Sequence, residues 1–314
     1  MQRMPTGWLA VVCGAAIAAA GSGAPGQAPA PPAGKVKVRP QYLPGRAIRY
    51  SLSASGTTAW TPKIQNVEWG RIQTDLTFVL AVKTLRDSGA CTFNLLGERL
   101  RSAGEGSGGR IDVEGNREKF RVRVKGKWQH STRKSPLAGA MTMTFGPLGG
   151  YRFGTGLAPP VIYMLPHVDH RFWTLLTIAP LKDVGPGDSW NDEFHFPVPG
   201  AKDKRLKLTG AWKVAGWRNY RKRKVLAMTL SAKAELKDSD VLLKNGDTIH
   251  VTSGTYNASG ESMWDVEAGV LCWAHARQDF LVKADKPAAL ALRSQSRCTL
   301  QLLQVRDTPP KKDK

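Results

Sequence analysis

Period-two alternation predicts a mainly β chain. The expected architecture is two tandem antiparallel β-meander units, as curved sheets or a sandwich, with a short helical or irregular apolar segment between them. Three observations carry this. β-Branched and aromatic residues alternate with polar ones in run after run. Turn-forming clusters such as Asp87-Ser88-Gly89 and Glu114-Gly115-Asn116 separate the runs. Residues 157–182 alone break the pattern, being apolar, proline-interrupted and without alternation.

The N-terminus reads as an export signal over residues 1–24. Arg3 precedes an apolar run from Trp8 to Ala20, and the small residues Ala18, Ala20 and Ala24 follow the A-x-A cleavage pattern. The run is shorter than the roughly 20 residues a bilayer-spanning helix needs. Cys13 does not make a lipobox, because Val12 stands where a small residue is wanted and the apolar run continues beyond it. Residues 25–39 form a Pro/Ala-rich spacer. The product is therefore expected to be periplasmic or extracellular.

The first β unit, residues 40–150, contains strand-like runs at 47–55, 74–85, 90–100 and 119–128. The connecting segment, residues 151–184, follows, with 167–178 its best helical candidate. The second β unit, residues 185–307, holds runs at 205–217, 224–236 and 248–265, then two cysteine-bearing runs. Asn245-Gly246 predicts a type I′ hairpin turn. Residues 308–314 form a basic tail. Both flanks of the apolar segment open with a strand–turn–strand device, which is the reason for reading two units.

Cys272 and Cys298 flank the turn 283–288. If the hairpin is centred near Asp285 they fall opposite one another, within a small adjustment of disulfide distance. Cys91 is left over as a buried thiol.

A Gly187-Asp188-Ser189-Trp190 step into a strand combines with a late pattern, Gly260-Glu261-Ser262-Met263-Trp264-Asp265 through Gly269-Val270-Leu271. Together these resemble a family of uncharacterised secreted bacterial β-rich proteins of unknown function. The resemblance implies an exported β fold and brings no catalytic residues with it.

Formal net charge is +21, from 46 Lys+Arg against 25 Asp+Glu. Such an excess favours anionic partners and says nothing about fold. An exported chain meets anionic polysaccharide or a membrane surface before it meets nucleic acid, which argues against nucleic acid as the partner. Two stretches concentrate the charge. In residues 217–224, Trp217 and Tyr220 are threaded among Arg218, Arg221, Lys222, Arg223 and Lys224. These residues sit where a hairpin should turn, so they are either a wet turn or a polyanion-binding tip with aromatic stacking. In residues 119–128, Arg121, Arg123 and Lys125 share one strand face and Phe120, Val122 and Val124 the other, as in a half-buried sheet.

His167, Asp169 and His170 are the best metal candidate, two histidines at i, i+3 with a carboxylate. Cys272 and His275 would point to opposite faces of a strand. No nucleophile elbow, Walker loop, H-E-x-x-H or dinucleotide fingerprint occurs, and nothing in the sequence asks for a cofactor. The leading reading is an exported, non-enzymatic binding or scaffold protein that engages anionic envelope or extracellular material. The alternatives are a carrier of a lipid or other apolar ligand in a cavity of curved sheets, and a hydrolase whose site is assembled from distant residues.

Overall fold

Alternation of buried and exposed residues runs through nearly every strand, and it is satisfied by one sheet. The structure is a computed structural model. It describes residues 34–61, 70–106, 109–124, 126–131, 135, 137–146, 149–153, 179–180, 182–197, 202, 205–242, 246–286 and 289–307. The strands are β1 (Arg46–Thr61), β2 (Arg71–Leu85), β3 (Cys91–Gly106), β4 (Gly109–Asn116), β5 (Phe120–Val124), β6 (Lys127–His130), β7 (Ala140–Gly146) and β8 (Gly149–Phe153). They continue with β9 (Ser189–Pro197), β10 (Arg205–Tyr220), β11 (Arg223–Leu242), β12 (Thr248–Asp265), β13 (Val270–Lys286) and β14 (Leu290–Asp307). No helix occurs among the described residues. The expected helical piece at 167–178, the signal and the basic tail lie outside them.

All 14 strands join in one open antiparallel sheet, ordered β6-β5-β4-β3-β2-β1-β14-β13-β12-β11-β10-β9, with β7 branching from β3 and carrying β8. Each flank is a meander of sequential neighbours. The seam between the flanks is long-range: β1 pairs with β14 from Arg46↔Asp307 to Thr61↔Ala291.

One face is core. Tyr50, Leu52 and Ala54 of β1, Leu300 of β14, Ala274 of β13 and Leu230 of β11 are all buried in a single apolar cluster. Apart from Trp273, their odd-numbered neighbours are polar, as an antiparallel sheet with one dry face requires. The Phe120 and Val122 side of β5 packs against this cluster.

A strap closes one end of the sheet. Val36 and Val38 fall in the stretch expected as spacer, yet Val36 bridges Val184 and Val38 is buried. Gln41 N donates to Gly269 O at 2.9 Å. A Cβ at Gly269, where φ is +61°, would meet Gln41 Cγ at 2.3 Å, so only glycine fits there. Tyr42 then packs edge-on against Phe93, centroids 5.3 Å apart. Arg46 pins the strap down. Its guanidinium is buried, donates to the carbonyls of Gln41 at 3.0 Å and Ala268 at 2.8 Å, and pairs with Asp307 at 2.7 Å.

The two motifs behind the family resemblance are turn devices. Asp188 Oδ2 accepts from Gly185 N at 3.0 Å on entry to β9, and Trp190 stacks on Trp212 at 5.7 Å. Asp265 Oδ1 accepts from Ala268 N at 2.9 Å in the β12–β13 turn.

Candidate functional site

The basic stretch 217–224 is a hairpin, as its position between two alternating runs suggests. Tyr220 pairs with Arg223, leaving Arg221 and Lys222 as a two-residue turn with φ of 50° and 64°. Two positive φ values define the type I′ geometry, which normally selects Asn-Gly. The charges here are largely partnered. Arg218 pairs with Glu261 at 2.6 Å and Arg223 with Asp265 at 2.6 Å. The Gln301 amide oxygen accepts from Arg221 Nη1 at 3.0 Å and from the Tyr220 hydroxyl at 2.9 Å. Lys224 lies 5.3 Å from the Trp217 ring centroid, and Trp217 packs against the core. Acids distant in sequence thus pair with two of the five cations, Arg218 and Arg223, in a stretch that has none of its own.

Strand β5 behaves the same way. Arg121 is ion-paired with Glu114 and lies over Trp128 at 4.6 Å, while Arg123 is 3.8 Å from Asp112. Lys125 lies outside the described residues, as do His167, Asp169 and His170. Among the described residues no three metal-ligating side chains gather.

The expected Cys272–Cys298 bridge is corrected by register. Cys298 faces Ala276, and Trp273 faces Gln301, so the hairpin is centred two residues later than Asp285. The two cysteines share a face but stand four residues apart along the sheet, roughly 13 Å, beyond disulfide reach. All three described cysteines are free and buried. Burial pushes the Cys298 thiol up to about 12 and those of Cys91 and Cys272 up to about 11, so none is a ready nucleophile.

A further pair of cations without an acid lies elsewhere. A groove of about 680 Å³ crosses β2, β1, β14, β13, β12 and β11 on the polar face. Cross-strand register builds its floor from two rows. Gln73, Ser55, Arg297, Arg277, Ser259 and Ser231 are successive partners in one. Arg71, Thr57, Gln295, Asp279, Asn257 and Lys233 are successive partners in the other. On the core face directly behind lie Ala54, Ala232, Ala258 and Ala276, all buried.

The centre of the groove is electrostatically unusual. Arg277 and Arg297 are directly opposed partners, an arrangement that destabilises a sheet. Among the described residues no carboxylate lies within ion-pair distance of either. Asp279 is held by Arg293 at 2.8 Å and Gln295 at 3.0 Å, and Glu261 by Arg218. Arg297 Nε donates to Ser55 Oγ at 2.8 Å. Arg277 Nε donates to His275 Nε2 at 3.3 Å, which leaves His275 Nδ1–H for Thr299 Oγ1 at 2.9 Å. Burial, then the charges of Arg277 and Arg297, hold the His275 imidazole below its ordinary pKa. The result is two guanidinium groups in a bed of hydroxyls and amides, suited to binding an anion. Sequence reading missed this site because six strands supply it. Its one local trace is the polar outward set of β14, Arg293, Gln295 and Arg297.

No protein-family model matches the chain and no curated protein matches it, which is consistent with the resemblance to an uncharacterised family. A solved structure described as "Lipid-protein interactions in lipovitellin" is similar over 87% of this chain and 27% of that one, at a TM-score of 0.41 and 14% identity. The chain thus spans about a quarter of that protein's length, and a likeness this small sets no constraint on function.

Proposed function

We propose that this is an exported binding protein that holds anionic envelope or extracellular material in the groove between β2 and β11. The observation that carries the reading is the opposition of Arg277 and Arg297 without a carboxylate. A cross-strand pair of like charges costs stability, and a bound anion reverses that cost by accepting charge-assisted hydrogen bonds from both. Export rests on the Trp8–Ala20 run and the small residues around it. The test is retention of the full chain on a heparin matrix in a salt gradient. Arg277→Gln/Arg297→Gln should elute well before the parent, whereas Arg221→Gln/Lys222→Gln should elute with it. The reverse order would move the site to the hairpin, and early elution of the parent itself would end the reading.

A second reading, a carrier for an apolar ligand on the core face, draws on one observation. Trp212 Nε1, Trp264 Nε1 and Ser262 Oγ are buried donors with no acceptor among the described residues, and a ligand carbonyl would satisfy them. Organic extraction of the purified protein followed by mass spectrometry tests it; an empty extract counts against it.

A further inference from the structure

We infer that the ligand of this groove is an extended acidic glycan, laid across the strands with its acid groups about 10 Å apart and hydroxyl-rich units between them. The inference rests on the anion-binding reading above and goes beyond it in naming the ligand.

Three features select a chain over a compact anion. The groove runs across six neighbouring strands, a length of roughly 24 Å at the usual inter-strand spacing. Its cations are distributed along that length, with Arg71 on β2, Arg297 on β14, Arg277 on β13 and Lys233 on β11. Arg71 and Lys233 each lie two strands from the central pair, hence about 10 Å away. A single phosphate would reach only the centre.

The remaining lining selects a glycan over other polyanions. Between the cations stand Ser55, Thr57, Gln73, Ser231, Asn257 and Ser259, short groups that donate and accept hydrogen bonds as sugar hydroxyls do. No aromatic side chain lines the groove, so it offers no platform for nucleic-acid bases.

The test is calorimetric titration of the full chain with a length series of hyaluronan oligosaccharides, which alternate a uronate with a neutral sugar. Oligothymidylate, phosphatidylglycerol vesicles and inorganic phosphate serve as comparisons. Affinity should rise with glycan length and level off once the chain spans the groove. Arg277→Gln/Arg297→Gln should lower it on the order of a hundredfold, and Ser55→Ala/Ser259→Ala by several-fold. Equal or tighter binding of oligothymidylate, vesicles or phosphate, still lost in the arginine variant, would overturn the glycan assignment while the anion-binding reading stood. No binding of any of these anions would overturn both.

Discussion

The hairpin at 217–224 and the groove at 277/297 are two basic regions with opposite logic. The hairpin is the more basic in sequence, but folding brings Glu261, Asp265 and Gln301 to its arginines. The groove shows isolated arginines in sequence, but folding sets two of them face to face. Linear charge density therefore misidentifies the surface available to an anion. What matters is whether cross-strand neighbours cancel a charge or repeat it.

The largest expected effect sharpens that contrast. Arg277→Glu converts the opposition into a cross-strand ion pair with Arg297. Glycan affinity should fall on the order of a hundredfold, while denaturant stability rises by about 0.5 kcal/mol. Loss of both binding and stability would mean that the arginines serve the fold. Next is Asp265→Asn, which removes the charge facing Arg223 beside the core and should cost about 2 kcal/mol in urea denaturation. A cost near zero would place Arg223 among the available cations. Replacing Arg221-Lys222 with Asn-Gly should then raise stability by about 1 kcal/mol, since both residues hold left-handed φ, and should leave heparin retention unchanged. Reduced retention would give the hairpin a binding role.

The smallest effect concerns His250, whose ring nitrogens lie 2.8 Å from Asp240 and 2.9 Å from Asp238. The Asp240 hydrogen bond, followed by the charges of Asp285 and Asp238, raises its pKa. A histidine stabilised in this way contributes fully below the unfolded value of about 6.5 and loses that contribution as pH rises through its higher folded value. The thermal midpoint of the parent should thus fall relative to His250→Asn across that window. Parallel profiles would show the pair to be inert.

Much of the fold was legible because alternation is local. Leu208, Trp212 and Val214 face the core as their spacing demands, and the turn falls at Arg221-Lys222. Register was not legible. Asn245-Gly246 suggested a two-residue turn; the last described pairing before it is Leu242↔Thr248, and Asn245 lies outside the described residues. Two residues of error at the β13–β14 turn were enough to bring Cys272 and Cys298 together wrongly. The groove was illegible for the same reason, because its rows exist only once register is fixed across six strands. Nor does any local signal pair β1 with β14, since that contact spans most of the chain.

This last pairing has a kinetic consequence. The middle of the sheet joins Arg46 to Asp307, so β1 keeps a bare hydrogen-bonding edge until β14 is available. Closing so distant a contact is slow because the loop entropy must be overcome before the contact stabilises anything. During synthesis the chain therefore stays incomplete until β14 has emerged and can find β1.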